Sequence, residues 1–426
     1  MTDLTTPPSP ATTPDSGTEP DTILTLPKSA ARAAIHAADT ALLTLSHDLH
    51  ANPETRFAER KAAGWATDLL ERNGFSIERE AADLETAFVA SYGTGPLVLG
   101  ICAEYDALPS IGHACGHNVI CASSVGAGLG LAAVADDLGI TVRVIGTPAE
   151  EGGGGKIIML DAGVFDDVHA AMMTHPAPGD FDIVDMTNTV LASVQFEVEY
   201  RGRASHAAGA PHLGINALDA ATIAQTAIGV LRQQLPAGDL VHGIVTYGGE
   251  APNIIPERTV LSYFVRSWTL ERAHELEKKV RRCFEAGALA TGCEMEVRPT
   301  SKTYSHMEAD ADLSRLYGRN VTALGRQAIE VPSDVRIGAG GSTDMANVSL
   351  ALPAIHPGVG IANAIGFPHH SDFTRSCATA DADATAIHAA TALAWTAIDA
   401  AGTDDIRDRL LRRERRISPA RRSNTA

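Results

Sequence analysis

The sequence predicts an α/β fold in two parts. One is a layered domain with its sheet packed between helices; the other is an inserted βαββαβ unit of ferredoxin type. Two observations carry this. In the first half, an apolar strand, a polar loop and a helix recur, in PLVLGICAEYDALP, ITVRVIGTPAEEGGGG and VHAAMMTHPAP. Strands alternating with helices build a parallel sheet. Near residue 190 the pattern changes. SVQFEVEYRG alternates like a strand, and a segment with Ile215, Leu218, Ile223, Ile228 and Leu231 at near-helical spacing follows. VHGIVTYGG and TVLSYFVRSW read as two strands, LERAHELEKKVRRCFEAGALATG as a charged helix, and CEMEVRPT as a closing strand.

The remaining elements fall into place around these. A chain of 426 residues is too long for one ordinary core, so two domains are expected. Residues 1–25, rich in Pro, Thr and Asp, read as a disordered leader without the basic and apolar regions of a secretory signal. AARAAIHAADTALLTLSHDLHANPE is helical, and ERKAAGWATDLLERNGF is a second helix with Asn73-Gly74 as its stop. VGAGLGLAAVA is about half a membrane span and reads as a small-residue core helix. The Gly-rich loops IGAGGSTDMANVS and GFPHHSDF and the helix ATAIHAATALAWTAIDAA return to the first domain. The layered domain therefore takes 26–189 and 302–410, the insert 190–301, and a basic tail 411–426.

Composition narrows the function. A formal charge of −18 disfavours nucleic acid as a partner. Six cysteines without a CxxC pair do not form a disulfide framework and suit a reducing cytoplasm. No segment reads as a membrane span.

Ligands of open α/β sheets gather beyond the carboxyl ends of the strands. Glu104 and Asp106, Glu150 and Glu151, and His175 fall there, with GHACGHN close behind the first pair. Each has a plain alternative. Cys115 and His117 could be a nucleophilic pair, although acidic neighbours raise a thiol's pKa. Glu150-Glu151 could be solvated, although GGGG after it lets the backbone approach closely. GGGGK is no phosphate loop, because neither Ser nor Thr follows the lysine. His175 could be a core histidine, and His369-His370 a solvated pair. Together they offer one thiolate, three imidazoles and a carboxylate, with a spare carboxylate. A closed structural zinc site needs four ligands and no base; this set suits two ions and an activated water, whose pKa falls toward ~7.

At these residues the chain resembles the M20 metallopeptidase and amidohydrolase family, and within it the branch of p-aminobenzoyl-glutamate hydrolase subunits and M20 domain-containing dipeptidases. AEYDALPSIGHACGHN, PAEEGGGG, MTHP, RASHAA, NIIPE and GGSTDMANVS match in order, over about residues 30 to 400. The resemblance implies a zinc-peptidase-like domain with a mixed sheet and a lid that also dimerises. It implies two divalent ions (Zn²⁺ or Mn²⁺, with Co²⁺ as a further option) on Cys115, His117, Glu151, His175 and His369, with His370 as fallback. Glu150 would be the general base, Asp106 would orient an imidazole, and His206 would reach the other subunit's site to stabilise an oxyanion. Asn253 and Arg266 would meet the substrate's carboxylate; Gly341 and Ser342 would line the pocket. Glu104 departs from the aminopeptidase-like branches, which carry His there. The expected activity is hydrolysis of a small N-acyl amino acid or dipeptide by a cytoplasmic homodimer. The alternative is an inactive binding protein of the same fold, which has no need of Glu150.

Overall fold

The computed structural model describes residues 22–332 and 341–415. The chain opens with three helices, α1 (Thr22–Ala37), α2 (Asp39–Ala51) and α3 (Arg60–Arg72). Helix α1 starts inside the stretch read as leader, so that reading extends too far: Thr22 to Thr25 are helical. Residues 1–21 and the tail beyond 415 lie outside the described residues. The break between α1 and α2 falls at Ala38. The Asn73-Gly74 stop holds, with Gly74 left-handed at φ 85°.

Strands β1 (Ser76–Arg79), β2 (Phe88–Tyr92) and β3 (Leu97–Ala103) lead to α4 (His117–Ala132) and the short α5 (Ala135–Leu138). Strand β4 (Ile140–Gly146), α6 (Gly155–Asp161), β5 (Ala170–Met172), β6 (His175–Pro178) and β7 (Phe181–Ile183) complete the first half. The insert is β8 (Ala192–Arg201), α7 (Ala217–Leu231), β9 (Leu240–Tyr247), β10 (Arg258–Ser267), α8 (Leu270–Thr291) and β11 (Glu294–Pro299). The chain returns through α9 (Ala311–Ala323), β12 (Gln327–Ile329), α10 (Met345–Ala351), β13 (Ala354–Ile355), β14 (Gly358–Ile361), α11 (Ser371–Ser376), α12 (Ala380–Gly402) and α13 (Asp404–Leu411).

The main sheet has the order β1-β2-β4-β3-β5-β13. Its centre is parallel, with β3 between β4 and β5, and β2 joins β4 antiparallel. The sheet is therefore mixed. Helix α4 is buried on every side because its small residues admit neighbours closely. A Cβ on Gly128 would stand 2.3 Å from the Val144 side chain of β4. Sequence periodicity missed a second small sheet, β12-β7-β14-β6, whose strands of three or four residues are too short to show alternation. The insert forms its own antiparallel sheet, β11-β8-β10-β9, with α7 and α8 on one face and a separate core around Phe196, Tyr200, Tyr263 and Phe284. This is the predicted βαββαβ order.

Candidate metal centre and active site

Three loops meet at the carboxyl edge of β3, β4 and β5. The first runs from Glu104 to the start of α4, where Gly116 takes φ 77° and turns the chain into the helix. It delivers Cys115 and His117, both buried. The second follows β4, where Ala149 is held left-handed at φ 58°. The Ala149 N–H donates to Glu59 Oε1 (2.9 Å), and Gly154 N–H donates to the Ala149 carbonyl (3.0 Å). This tight loop carries Glu150 and Glu151. The third follows β5 and leads into β6, whose first residue is His175.

Asp106 ties two of the loops together. Its Oδ1 lies 3.0 Å from His117 Nδ1, and its Oδ2 accepts the Glu151 N–H at 2.9 Å. With Nδ1 engaged, His117 presents Nε2 to the site. His175 is oriented in the same way, its Nδ1 lying 2.9 Å from the Pro176 carbonyl. These are the partners that metal-bound imidazoles use to fix ring orientation.

Two sets of donor atoms share one thiol. Cys115, His117 and His175 form one, and Cys115, Glu151 and His369 the other; within each, the donor atoms lie within 4.8 Å of one another. Cys115 Sγ is 3.4 Å from His175 Nε2, and His369 Nε2 is 3.3 Å from Glu151 Oε2. Donors about 2.0–2.3 Å from a tetrahedral ion stand roughly 3.3–3.6 Å apart, so the spacing fits. His117 Nε2 and Glu151 Oε1 are buried without a hydrogen-bond partner among the described residues. The residues thus fit two divalent ions. Of the two adjacent histidines, His369 reaches this cluster: its N–H donates to the Ala114 carbonyl at 2.9 Å, pinning its loop beside Cys115. His370 instead caps α11, accepting from Asp372 N–H.

Glu150 is buried, with Oε2 3.9 Å from His117 Nε2. Burial, reinforced by the charges of Glu104 and Glu151, raises its pKa well above the ordinary carboxylate value. Burial also opposes ionisation of Glu151, but the His369 hydrogen bond and the His117 charge outweigh it and hold its pKa low. The Cys115 thiol is pushed well up by burial and then by Glu151, which argues against a free nucleophilic thiolate.

The insert contributes Arg266, on β10. Its Nη1 donates to Ser342 Oγ (2.7 Å), and Ser342 Oγ donates to the Leu191 carbonyl (2.6 Å). Leu191 N–H donates to the Gly341 carbonyl (3.0 Å), so Gly341 and Ser342 tether the strand that enters the insert. Arg266 Nε also faces His242 Nε2 at 3.3 Å. Burial lowers its pKa, and among the described residues no carboxylate forms an ion pair with it. His206 and Asn253 lie together on the insert, where Ala207 N–H donates to the Asn253 carbonyl. Both are exposed, and no hydrogen bond or ion pair among the described residues joins them to the metal-ligand cluster. His206 Nδ1 accepts from the Ala208 and Gly209 N–H groups, which leaves Nε2 to carry the proton and donate outward.

Several polar residues of the site escape sequence reading. Lys156 is fully buried; its Nζ donates to Glu104 Oε1 (2.5 Å) and Asp344 Oδ1 (2.8 Å). Burial opposes the charge on Glu104, yet Lys156 brings its pKa down to about 2. Glu59 sits behind Ala149, and burial, with the Asp106 charge, raises its pKa to about 7. His356 is buried, its ring 5.6 Å from that of His175, with both nitrogens lacking hydrogen-bond partners among the described residues. In sequence, Lys156 is only a lysine after glycines, and Glu59 and His356 lie far from any cluster.

Comparison with known proteins agrees with this architecture. Residues 191–291 match the peptidase dimerisation domain of the M20 class. The chain is 37% identical over 402 residues to Xaa-Arg dipeptidase of Mus musculus, covering 90% of this chain and 91% of that protein. It is 34% identical over 268 residues to a p-aminobenzoyl-glutamate hydrolase polypeptide of Escherichia coli, covering 58% and 55%. Among solved structures, a dinuclear metal-binding M20 peptidase of Bacillus subtilis superposes with TM-score 0.63 at 24% identity, over 85% of this chain and 99% of that one. An aminobenzoyl-glutamate utilization protein from Klebsiella pneumoniae gives TM-score 0.64 at 19% identity, over 86% and 97%. The chain belongs to the M20 family of metal-dependent hydrolases of amide and peptide bonds.

Proposed function

We propose that the protein hydrolyses the amide bond of small dipeptides or N-acyl amino acids bearing a free carboxylate. The observation that carries this is the pair of donor sets sharing Cys115, with the buried carboxyl of Glu150 alongside. Cys115, His117 and His175 would hold one ion, and Cys115, Glu151 and His369 the other. When bound, divalent ions polarise the scissile carbonyl and acidify the attacking water. Zinc suits a thiolate ligand, and manganese or cobalt the oxygen and nitrogen donors.

The chain's own residues do the rest. Glu150 takes the proton from the attacking water and passes it to the departing amine. Asp106 keeps His117 and the Glu151 backbone in register. Arg266, a partly buried cation with no carboxylate partner among the described residues, receives the substrate's carboxylate with Asn253. The outward Nε2–H of His206 suits an oxyanion in a second copy's site, and the insert, 190–301, serves as lid and dimerisation surface. No helix among the described residues is long and apolar enough to cross a membrane; a cytoplasmic setting rests on the cysteine usage.

The test is amine release, read by mass spectrometry, from a panel of Xaa-Arg dipeptides, β-alanyl dipeptides, p-aminobenzoyl-glutamate and N-acyl amino acids, with Mn²⁺ or Zn²⁺ supplied. Turnover of one class names the substrate; no turnover with metal bound would sink the proposal. Arg266→Met is expected to raise KM about tenfold to a hundredfold for carboxylate substrates. It should leave the corresponding C-terminal amides almost unaffected. An equal effect on both would remove Arg266 from carboxylate recognition.

A further inference from the structure

We infer that Tyr304 is a positioning residue that couples the hinge of the inserted domain to the placement of Glu150. The inference rests on the reading of Glu150 as general base. Tyr304 lies where the chain leaves the insert, and it is 3% exposed. Its backbone forms an antiparallel bridge with Ser193, where the chain enters: Ser193 N–H donates to the Tyr304 carbonyl (2.9 Å), and Tyr304 N–H donates to the Ser193 carbonyl (3.0 Å). This bridge is the crossing that both connections must share, and any rotation of the insert bears on it.

The side chain points the other way, into the catalytic loop. The Tyr304 hydroxyl donates to the Glu150 carbonyl at 2.5 Å, and its oxygen accepts the Gly153 N–H at 3.4 Å. The ring also packs close to Gly154, where a Cβ would stand 3.2 Å away. One phenol thus reaches both limbs of the Glu150–Gly154 turn. The loop's other side-chain anchors among the described residues come from within the first domain: Glu59 on Ala149, Asp106 and His369 on Glu151, and Arg56 on the Gly152 carbonyl. Tyr304 alone among these joins the loop to the hinge.

The base of Tyr304 is itself fixed. Asn347, on α10, accepts from Ser305 N–H (2.9 Å) and donates to the Thr303 carbonyl (3.2 Å), clamping the residues on either side. The phenol therefore acts as a short strut between a held backbone and the loop. Its hydroxyl sets where the Glu150 backbone sits, and through it where the carboxyl lies. Because the bridge to Ser193 belongs to the hinge, the strut delivers Glu150 in register with one position of the insert. A residue of this kind changes the proton-transfer step more than it changes substrate binding, since Arg266 and Asn253 are untouched.

The test is Tyr304→Phe in the full-length, metal-loaded protein, with wild type and Glu150→Gln in parallel. The ring stays and only the hydroxyl goes. The expected result is a fall in kcat of about tenfold, the scale of one lost hydrogen bond, with KM within twofold of wild type. Metal content should be unchanged, and the thermal midpoint should fall by no more than a few degrees, about the cost of one buried hydrogen bond. Hydrogen exchange followed by mass spectrometry should show faster exchange in the peptide spanning 149–155. An unchanged kcat in an active enzyme would overturn the inference, as would a matching loss of metal or stability, or a variant that does not fold. If wild type hydrolyses nothing on the panel, the functional reading fails first. The exchange measurement then decides the strut by itself: unaltered protection of 149–155 overturns it.

Discussion

Glu150→Gln is expected to lower kcat by about 10²–10⁴, the usual contribution of a positioned general base, while leaving fold and metal content intact. The amide keeps the shape of the side chain and removes only its ability to take a proton. Glu150 is buried and belongs to neither of the two sets that share Cys115, although its carboxyl also lies within 4.8 Å of donor atoms of Glu104 and His117. The loss should therefore appear in kcat, with KM little changed. Inductively coupled plasma mass spectrometry on the purified variant checks the metal, and circular dichroism the fold. Loss of metal together with activity would make Glu150 a ligand instead of a base.

The same residue sets a pH dependence. A base must be ionised to act, and burial with the Glu104 and Glu151 charges raises the Glu150 pKa. The active, deprotonated form is therefore favoured at high pH and lost as pH falls through that raised value. kcat/KM should show an acid limb above the ordinary glutamate range. A limb no higher than that of an exposed carboxylate would contradict this environment.

Lys156→Met should destabilise the protein by about 3–5 kcal/mol, the cost of stranding a buried charge by deleting its partner. Here the ammonium serves two carboxylates, Glu104 and Asp344, and all three side chains are fully buried. Its backbone N–H also donates to Asp344 Oδ2 at 2.9 Å, which joins the start of α6 to the residue preceding α10. Urea denaturation at neutral pH measures the loss. Adding Glu104→Gln and Asp344→Asn removes the stranded charges and should restore part of the stability. A single variant as stable as wild type would show that the triad is dispensable.

Much of the candidate site was legible in the sequence because its candidate ligands sit in compact motifs. Cys115 and His117 share GHACGHN, Glu150 and Glu151 adjoin a glycine run, and His175 follows an apolar strand; each has a plain alternative by itself, and only the set together suggests a metal. The βαββαβ insert was legible for a similar reason: its strands and helices are long enough for period 2 and period 3.6 to separate. Short strands such as β6, β7, β12 and β14 carry no such signal, and their pairing is settled by what packs around them.

What the sequence by itself determined is the inventory of candidate ligands, the order of the insert and the two-part layout. Only the tertiary structure decided which histidine of the pair at 369 and 370 faces Glu151, since the left-handed backbone at His369 and the extended one at His370 send one ring to the site and the other to cap α11. Only it revealed that Lys156 pairs with both Glu104 and Asp344, that Glu59 holds Ala149 in a left-handed turn, and that Tyr304 reaches Glu150. The physical reason is the same for all three. Buried polar groups must find partners, and those partners come from whatever segments the fold brings near, here separated by 52, 188, 90 and 154 positions along the chain.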